Sequence, residues 1–331
     1  MRLSRRELLG AATAVVCLPG VARAAVATRL VAVHVPGTLD PHRALHPLDG
    51  PTATYGELTV GIDGAVPETQ AFFSRHADRV AILRGLELGT EDPRRGRLLA
   101  LSGKPDPTQP DVVTWMGRAV DFGSDAPGPA WRLGRRLSLG GWVEPTRASD
   151  AAEGPGWDPS PSTRAAIADF HEARGRVALV SPGMTPPPRR PADRATLAED
   201  AALVPGLLED FDGVRLIGPD PETGLSELWE GLDVLLTALA DSGWLESTLV
   251  VVTADRGRDR DGLPSSGAAA LVAGGPVLAG RAFDATGGTD LQAGGIGSAR
   301  PGWGELWAGA LAACGRSHAL PGTASWTAWW S

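Results

Sequence analysis

Leu245-Glu246-Ser247-Thr248-Leu249-Val250-Val251-Val252-Thr253-Ala254-Asp255-Arg256-Gly257 is the most strand-like stretch of this chain. The β-branched and aliphatic run at 248 to 252 sits between polar flanks and a glycine, the pattern of a short strand buried on both faces, as in a parallel sheet. In open α/β sheets ligands gather beyond the carboxyl ends of the strands, so Asp255 and Arg256 are expected at the rim of a cleft.

Working outward, Thr223 to Gly243 is the clearest helix, with Leu225, Leu228, Leu232, Leu235, Leu236 and Leu239 on one face and Gly243 as its stop. Arg29 to Val35 reads as the first core strand, ending at Pro36-Gly37, and a Gly/Pro-punctuated loop with Asp40, His42, His46 and Asp49 follows. Pro67 to Asp78 reads as a helix with Glu68 near its start and Arg75-His76 near its end, the charge order a helix dipole favours. It leads into a strand at Val80 to Leu83, and strand, helix, strand is the unit of a parallel sheet. Further helices are expected at Arg94 to Ser102, Asp111 to Val120, Thr163 to Arg174, Ala195 to Leu208 and Trp303 to Cys314. Further strands are expected at Arg176 to Ser181 and Phe211 to Gly218, and Leu271 to Gly275 reads as a late strand at a sheet edge. Residues 121 to 165, rich in Gly, Pro, Asp and Trp, read as an irregular excursion, and Pro186 to Pro191 as a polyproline surface loop. The tail Ser325 to Trp330 carries three tryptophans, whose commonest use is to cover a sheet edge. The fold class implied is α/β, a largely parallel central sheet with helices on both faces.

The 331 residues include 31 basic and 39 acidic ones, a formal net charge of -8, with no basic stripe to follow a phosphate backbone. This argues against nucleic-acid binding. The N-terminus is specific: Ser4-Arg5-Arg6-Glu7-Leu8-Leu9, an apolar run to Ala22 too short for a stable membrane span, then Ala22-Arg23-Ala24. These are the parts, in order, of a twin-arginine export signal with an Ala-x-Ala cleavage site after Ala24. Removing it takes away four arginines and one glutamate, so the mature net charge falls from -8 to -11 and no stable membrane span is expected after cleavage. The expected organisation is a signal at 1 to 24 and a single α/β domain at 25 to 331, periplasmic or extracellular, with the twin-arginine translocase as its first partner. Cys17 lies in the signal and leaves Cys314 alone in the mature chain, so the fold must hold without disulfides.

Thr248 to Gly257 resembles the "strand, Thr, small, Asp, His, Gly" segment of the alkaline-phosphatase/sulfatase-like superfamily. Phe73 to Gly85, Leu98 to Gly103, Trp244 to Asp255 and Leu271 to Gly280, together with the twin-arginine start, resemble a large exported family of unknown function in that superfamily. The resemblance implies a sulfatase-like sheet with one or two divalent ions held by Asp and His at strand ends. It also implies a Ser, Thr or modified Cys nucleophile opening a helix, where metal and helix dipole act together on an ester oxygen. Carried over to this chain, Asp40 and Asp255 fall on acidic ligand positions and Asp212 on an Asp-x-His segment that lacks its His. The nucleophile position falls near Pro93, with Thr90 three residues earlier as the nearest hydroxyl. Arg256 replaces the histidine, and a guanidinium has no lone pair for a metal.

The expected cleft therefore gathers Asp40, Asp212, Asp255, Arg256, His42 and Arg97, with Arg256 pairing Asp255 where a metal would stand. Three functions follow as expectations. The first is an exported binding or assembly component of the cell envelope with a decayed metal site, its partner an envelope component or an anionic ligand. The second is a metal-dependent hydrolase of phosphate or sulfate esters, holding Mg²⁺, Ca²⁺ or Zn²⁺ on a carboxylate-rich site. The third is a wall- or glycan-binding module using the Trp-bearing 121 to 165 region.

Overall fold

In the computed structural model the described residues are 27–39, 44–45, 47, 50–62, 66–105, 111–116, 119–121, 146–147, 196–209, 211–258, 264–265, 267–284, 301–316, 320 and 323–330. In chain order the strands are β1 (Arg29–Thr38), β2 (Thr52–Tyr55), β3 (Leu58–Gly61), β4 (Val80–Glu87), β5 (Ala119–Asp121), β6 (Thr146–Arg147), β7 (Gly213–Ile217), β8 (Thr248–Arg258), β9 (Pro264–Ser265), β10 (Gly267–Ala273) and β11 (Arg281–Asp284). The helices are α1 (Pro67–His76), α2 (Pro93–Ser102), α3 (Leu197–Leu207), α4 (Pro221–Asp241) and α5 (Trp303–Ala313).

The main sheet has the order β11-β4-β10-β8-β1-β7-β5-β6, with β9 added to the end of β8. β1 lies at its centre, parallel to β7 on one side and β8 on the other, with Leu30 opposite both Gly213 and Leu249. β5 and β6 continue the parallel set. β10 runs against β8 and β4, and β11 is parallel to β4. The sheet is thus largely parallel, as the aliphatic runs imply, but the 271 to 275 strand is an interior one and not an edge. Its seven residues Gly267-Ala-Ala-Ala-Leu-Val-Ala273 are all buried, and small side chains suit a strand covered on both faces.

Alternation sorts β1 and β8 onto two cores. Val31, Val33 and Val35 face the same way as Val250, Val252 and Ala254, under α1, α3 and α4. Leu30 and Ala32 face with Leu249 and Val251, under α2, α5 and the 3-10 turn Val112–Met116. Helices therefore cover both faces. In α4 the six expected leucines are all buried, each worth about 2 kcal/mol of transfer free energy. Regular helix there begins after Gly224, whose φ of -141° breaks the first turn.

A second sequence expectation changes as well. Val112–Met116 form the 3-10 turn and Ala119–Asp121 form β5, where one helix was expected over 111 to 120. Val112, Val113 and Thr114 are weak helix formers, and pairing of Ala119 to Asp121 with β7 outweighs local preference. A short hairpin, β2-β3, pairs Thr52 to Tyr55 with Leu58 to Gly61. The expected elements at 163 to 174 and 176 to 181, and most of the 121 to 165 excursion, lie outside the described residues. In the aromatic tail Trp329 is buried, its carbonyl accepts from Leu278 N at 2.9 Å, and Trp330 bridges to Val277, in the turn between β10 and β11. No described helix is long and apolar enough to cross a membrane.

Candidate functional site

Asp255 stands near the carboxyl end of β8, where the sheet topology places ligand chemistry, and it is only 2% exposed. Its partners come from three elements. From β1, His34 Nε2 lies 3.0 Å from Oδ1. The loop end of β1 contributes Gly37, whose backbone N–H donates to Oδ2 at 3.3 Å. From α2, Arg97 grips the carboxylate with Nη2 at 3.0 Å from Oδ2 and Nε at 3.3 and 3.4 Å from the two oxygens. Burial by itself pushes the carboxyl pKa up. Contact with His34 and then with Arg97 outweighs burial and holds Asp255 below the usual carboxylate range. His34 is 4% exposed, its Nε2 is in ion-pair range without the alignment of a hydrogen bond, and its Nδ1 has no partner.

The sequence explains why α2 comes close enough. Asp92 caps the helix by accepting from Arg94 N, Pro93 takes the first helical position, and Gly103 ends it at φ +72°. Gly96, one residue before Arg97, is the contact point with the strand: a Cβ there would lie 1.7 Å from the Asp255 carbonyl oxygen. Further along, the Ala100 carbonyl accepts from Thr253 Oγ1 at 3.4 Å and Trp307 Nε1 at 2.9 Å, fixing α2 to β8 and α5. At the other side of the cluster Gly37 has φ +84°, and a Cβ on it would sit 3.2 Å from Asp220 Oδ1, just past the end of β7.

Of the expected cleft, the structure joins Asp255 and Arg97. The guanidinium on Asp255 belongs to Arg97 and not to Arg256; strand alternation turns Arg256 to the opposite face, level with Thr38 of β1. Asp212 precedes β7, and its carbonyl accepts from Leu30 N at 2.9 Å, at the amino end of the strands. With Leu30 level with Leu249, Asp212 is some seven strand residues, roughly 20 Å, from Asp255 and shares no site with it. Thr90, the hydroxyl nearest the expected nucleophile position, lies in the turn before Asp92 and accepts from Asp92 N at 3.1 Å. Asp40, His42 and the signal residues Arg5, Arg6, Ala22 and Ala24 lie outside the described residues.

His34, Gly37 and Asp220 were not singled out as site residues by sequence. His34 reads there as a core histidine, and it is buried. The overlooked signal is its parity with Leu30 and Ala32, which sets it on the face that also carries Thr253 and Asp255. For the acid on β7, the residue after the strand and not the one before it reaches the ligand end.

A divalent ion does not fit the described arrangement. Both Asp255 oxygens already face nitrogen donors, and one of these is a permanently charged guanidinium. Among the described residues no group of three or more His, Cys, Asp or Glu is disposed to hold a metal. The cluster is instead an internal salt link that ties β1, its following turn and α2 to the end of β8.

No family model matches the chain, and no curated protein matches it either. Among solved structures it is similar to Ps i-CgsB, crystallised with k-i-k-neocarrahexaose, at 12% identity over 90% of this chain and 75% of that one, with a TM-score of 0.48. A second is a protein from Bacteroides thetaiotaomicron described in connection with the metabolism of multiple glycosaminoglycans, at 12% identity, 89% and 74% coverage and a TM-score of 0.48. A third is the phosphonate monoester hydrolase SpPMH from Silicibacter pomeroyi, at 13% identity, 87% and 73% coverage and a TM-score of 0.45.

Proposed function

We propose that the chain is an exported protein of sulfatase- and phosphatase-like build whose strand-end site holds no catalytic ion, and that it works as a binding or assembly component of the cell envelope. The observation behind this reading is the Asp255 carboxylate, whose two oxygens are taken up by Arg97, His34 and the Gly37 N–H. Ester hydrolysis at such a strand end needs a cation on the ester oxygen and a nucleophile of lowered pKa at the helix start. Here a guanidinium occupies the carboxylate, and the helix opens on Pro93, which has no reactive group.

Purified full-length protein folded in the cytoplasm is expected to carry well under one divalent ion per chain in total metal analysis. It is also expected to turn over neither a generic aryl phosphate nor an aryl sulfate. About one tightly held ion per chain, with turnover that disappears in Asp255→Ala, would establish the hydrolase reading instead. Retention on peptidoglycan or polysaccharide, insensitive to chelators, would favour the glycan-binding reading.

Export is tested separately. Arg5→Lys combined with Arg6→Lys is expected to leave the precursor in the cytoplasm, whereas the parent chain is recovered from the periplasm or medium with Ala25 as its first residue. Equal export of the two would remove the twin-arginine route.

A further inference from the structure

A second charged cluster, part-buried, lies away from Asp255, where α1 meets α4. His76, the last residue of α1, is buried, and its Nε2 lies 2.8 Å from Asp233 Oδ1. Arg75 Nη1 lies 2.5 Å from the other oxygen of the same carboxylate. The imidazole packs at 5.2 Å from the Phe72 ring, and Phe72 and Phe73 both meet Trp229 of α4, at 5.0 and 5.4 Å. From sequence His76 is a helix-end charge; in the fold it is part of the α1–α4 seam.

We infer that His76 is a proton-operated clamp: neutral, it holds α1 against α4 through Asp233, and on mild acidification it releases the end of α1. The geometry carries the argument. With one proton the ring donates from Nε2 to Asp233, and the bare Nδ1, which is buried with no partner, needs nothing more than shelter. A second proton on Nδ1 would create a buried N–H with no acceptor, an unsatisfied charged donor. The charged groups facing the ring are Asp233 from α4 and Arg75 and Arg79 from its own segment, so one anion is already shared with one arginine and a second arginine repels. Burial is the largest influence and drives the His76 pKa below its ordinary value; Asp233 opposes it without overcoming it. An unfolded or detached α1 regains the ordinary imidazole, so its release takes up a proton. The clamp is therefore fully effective above the ordinary histidine pKa of about 6.5 and weakens as pH falls from there toward the depressed folded value.

The test is hydrogen exchange on the full chain between pH 7.5 and 5, corrected for the intrinsic pH dependence of exchange. Peptides covering α1 are expected to gain opening by up to about tenfold per pH unit below pH 6.5, the slope of one proton, while peptides from α5 hold steady. In His76→Gln, which keeps a donor for Asp233 and cannot titrate, the α1 slope is expected to vanish. Opening of α1 that is independent of pH in the parent protein, or an unchanged slope in the glutamine variant, overturns the clamp. Should His76→Gln fail to fold, the parent slope alone decides.

Discussion

Gly96→Ala is expected to unseat α2 from the sheet. The added carbon would lie 1.7 Å from the Asp255 carbonyl oxygen and 2.9 Å from its carbon, and both are backbone atoms of a central strand that cannot rotate away. Helix or strand must shift, at a cost of about 3 kcal/mol or more, at or beyond the upper end of core overpacking. Because Arg97 is the next residue, the shift also pulls its guanidinium off Asp255. The expected readout is a large fall in the urea midpoint with an unchanged slope. Arg95→Ala, an exposed change on the same helix, is expected to stay within about 0.5 kcal/mol. A Gly96→Ala protein of parental stability would mean that α2 does not rest on β8 as described.

The second large effect concerns the fully buried pair of Asp111, at the start of the 3-10 turn, and Arg215 in β7, which are in direct contact. Asp111 also caps the turn, its Oδ1 accepting from Val113 N at 3.0 Å. Asp111→Ala takes a carboxylate away from a buried guanidinium and is expected to cost about 3–5 kcal/mol in denaturant unfolding. Replacing both, Asp111→Leu with Arg215→Met, removes the buried charge as well and is expected to recover most of that loss, down to about 1–2 kcal/mol below the parent protein. A double variant no better than the single one would show that the pair contributes through its shape or other partners and not through charge balance.

Strands and helices with long apolar runs were legible in the sequence because burial on one or both faces writes itself into periodicity. The α4 leucines and the valines of β1 and β8 are such cases, and their faces follow from alternation alone. What periodicity does not carry is order across the sheet. Gly267 to Ala273 announces a buried strand, yet its antiparallel insertion between β4 and β8 depends on partners far away in the chain. The candidate site suffered most from this. Asp255 was singled out because a charge at the end of a valine run is conspicuous. Asp212 was misassigned because a strand of unknown direction offers an acid at either end, and only register shows that Asp220 lies on the side of Asp255. Arg97 and His34 reach Asp255 through helix docking and strand parity, and no local pattern of charges signals either.

The position of β1 has a consequence for biosynthesis. It leaves the ribosome well before both strands that flank it, 213–217 and 248–258, which are translated about two hundred residues later. Until they arrive, an apolar ribbon rich in valine has no hydrogen-bonding neighbour, and the nascent chain must be kept from aggregating. Such distant closure makes assembly slow, so the middle of the sheet can form only once β8 has been made.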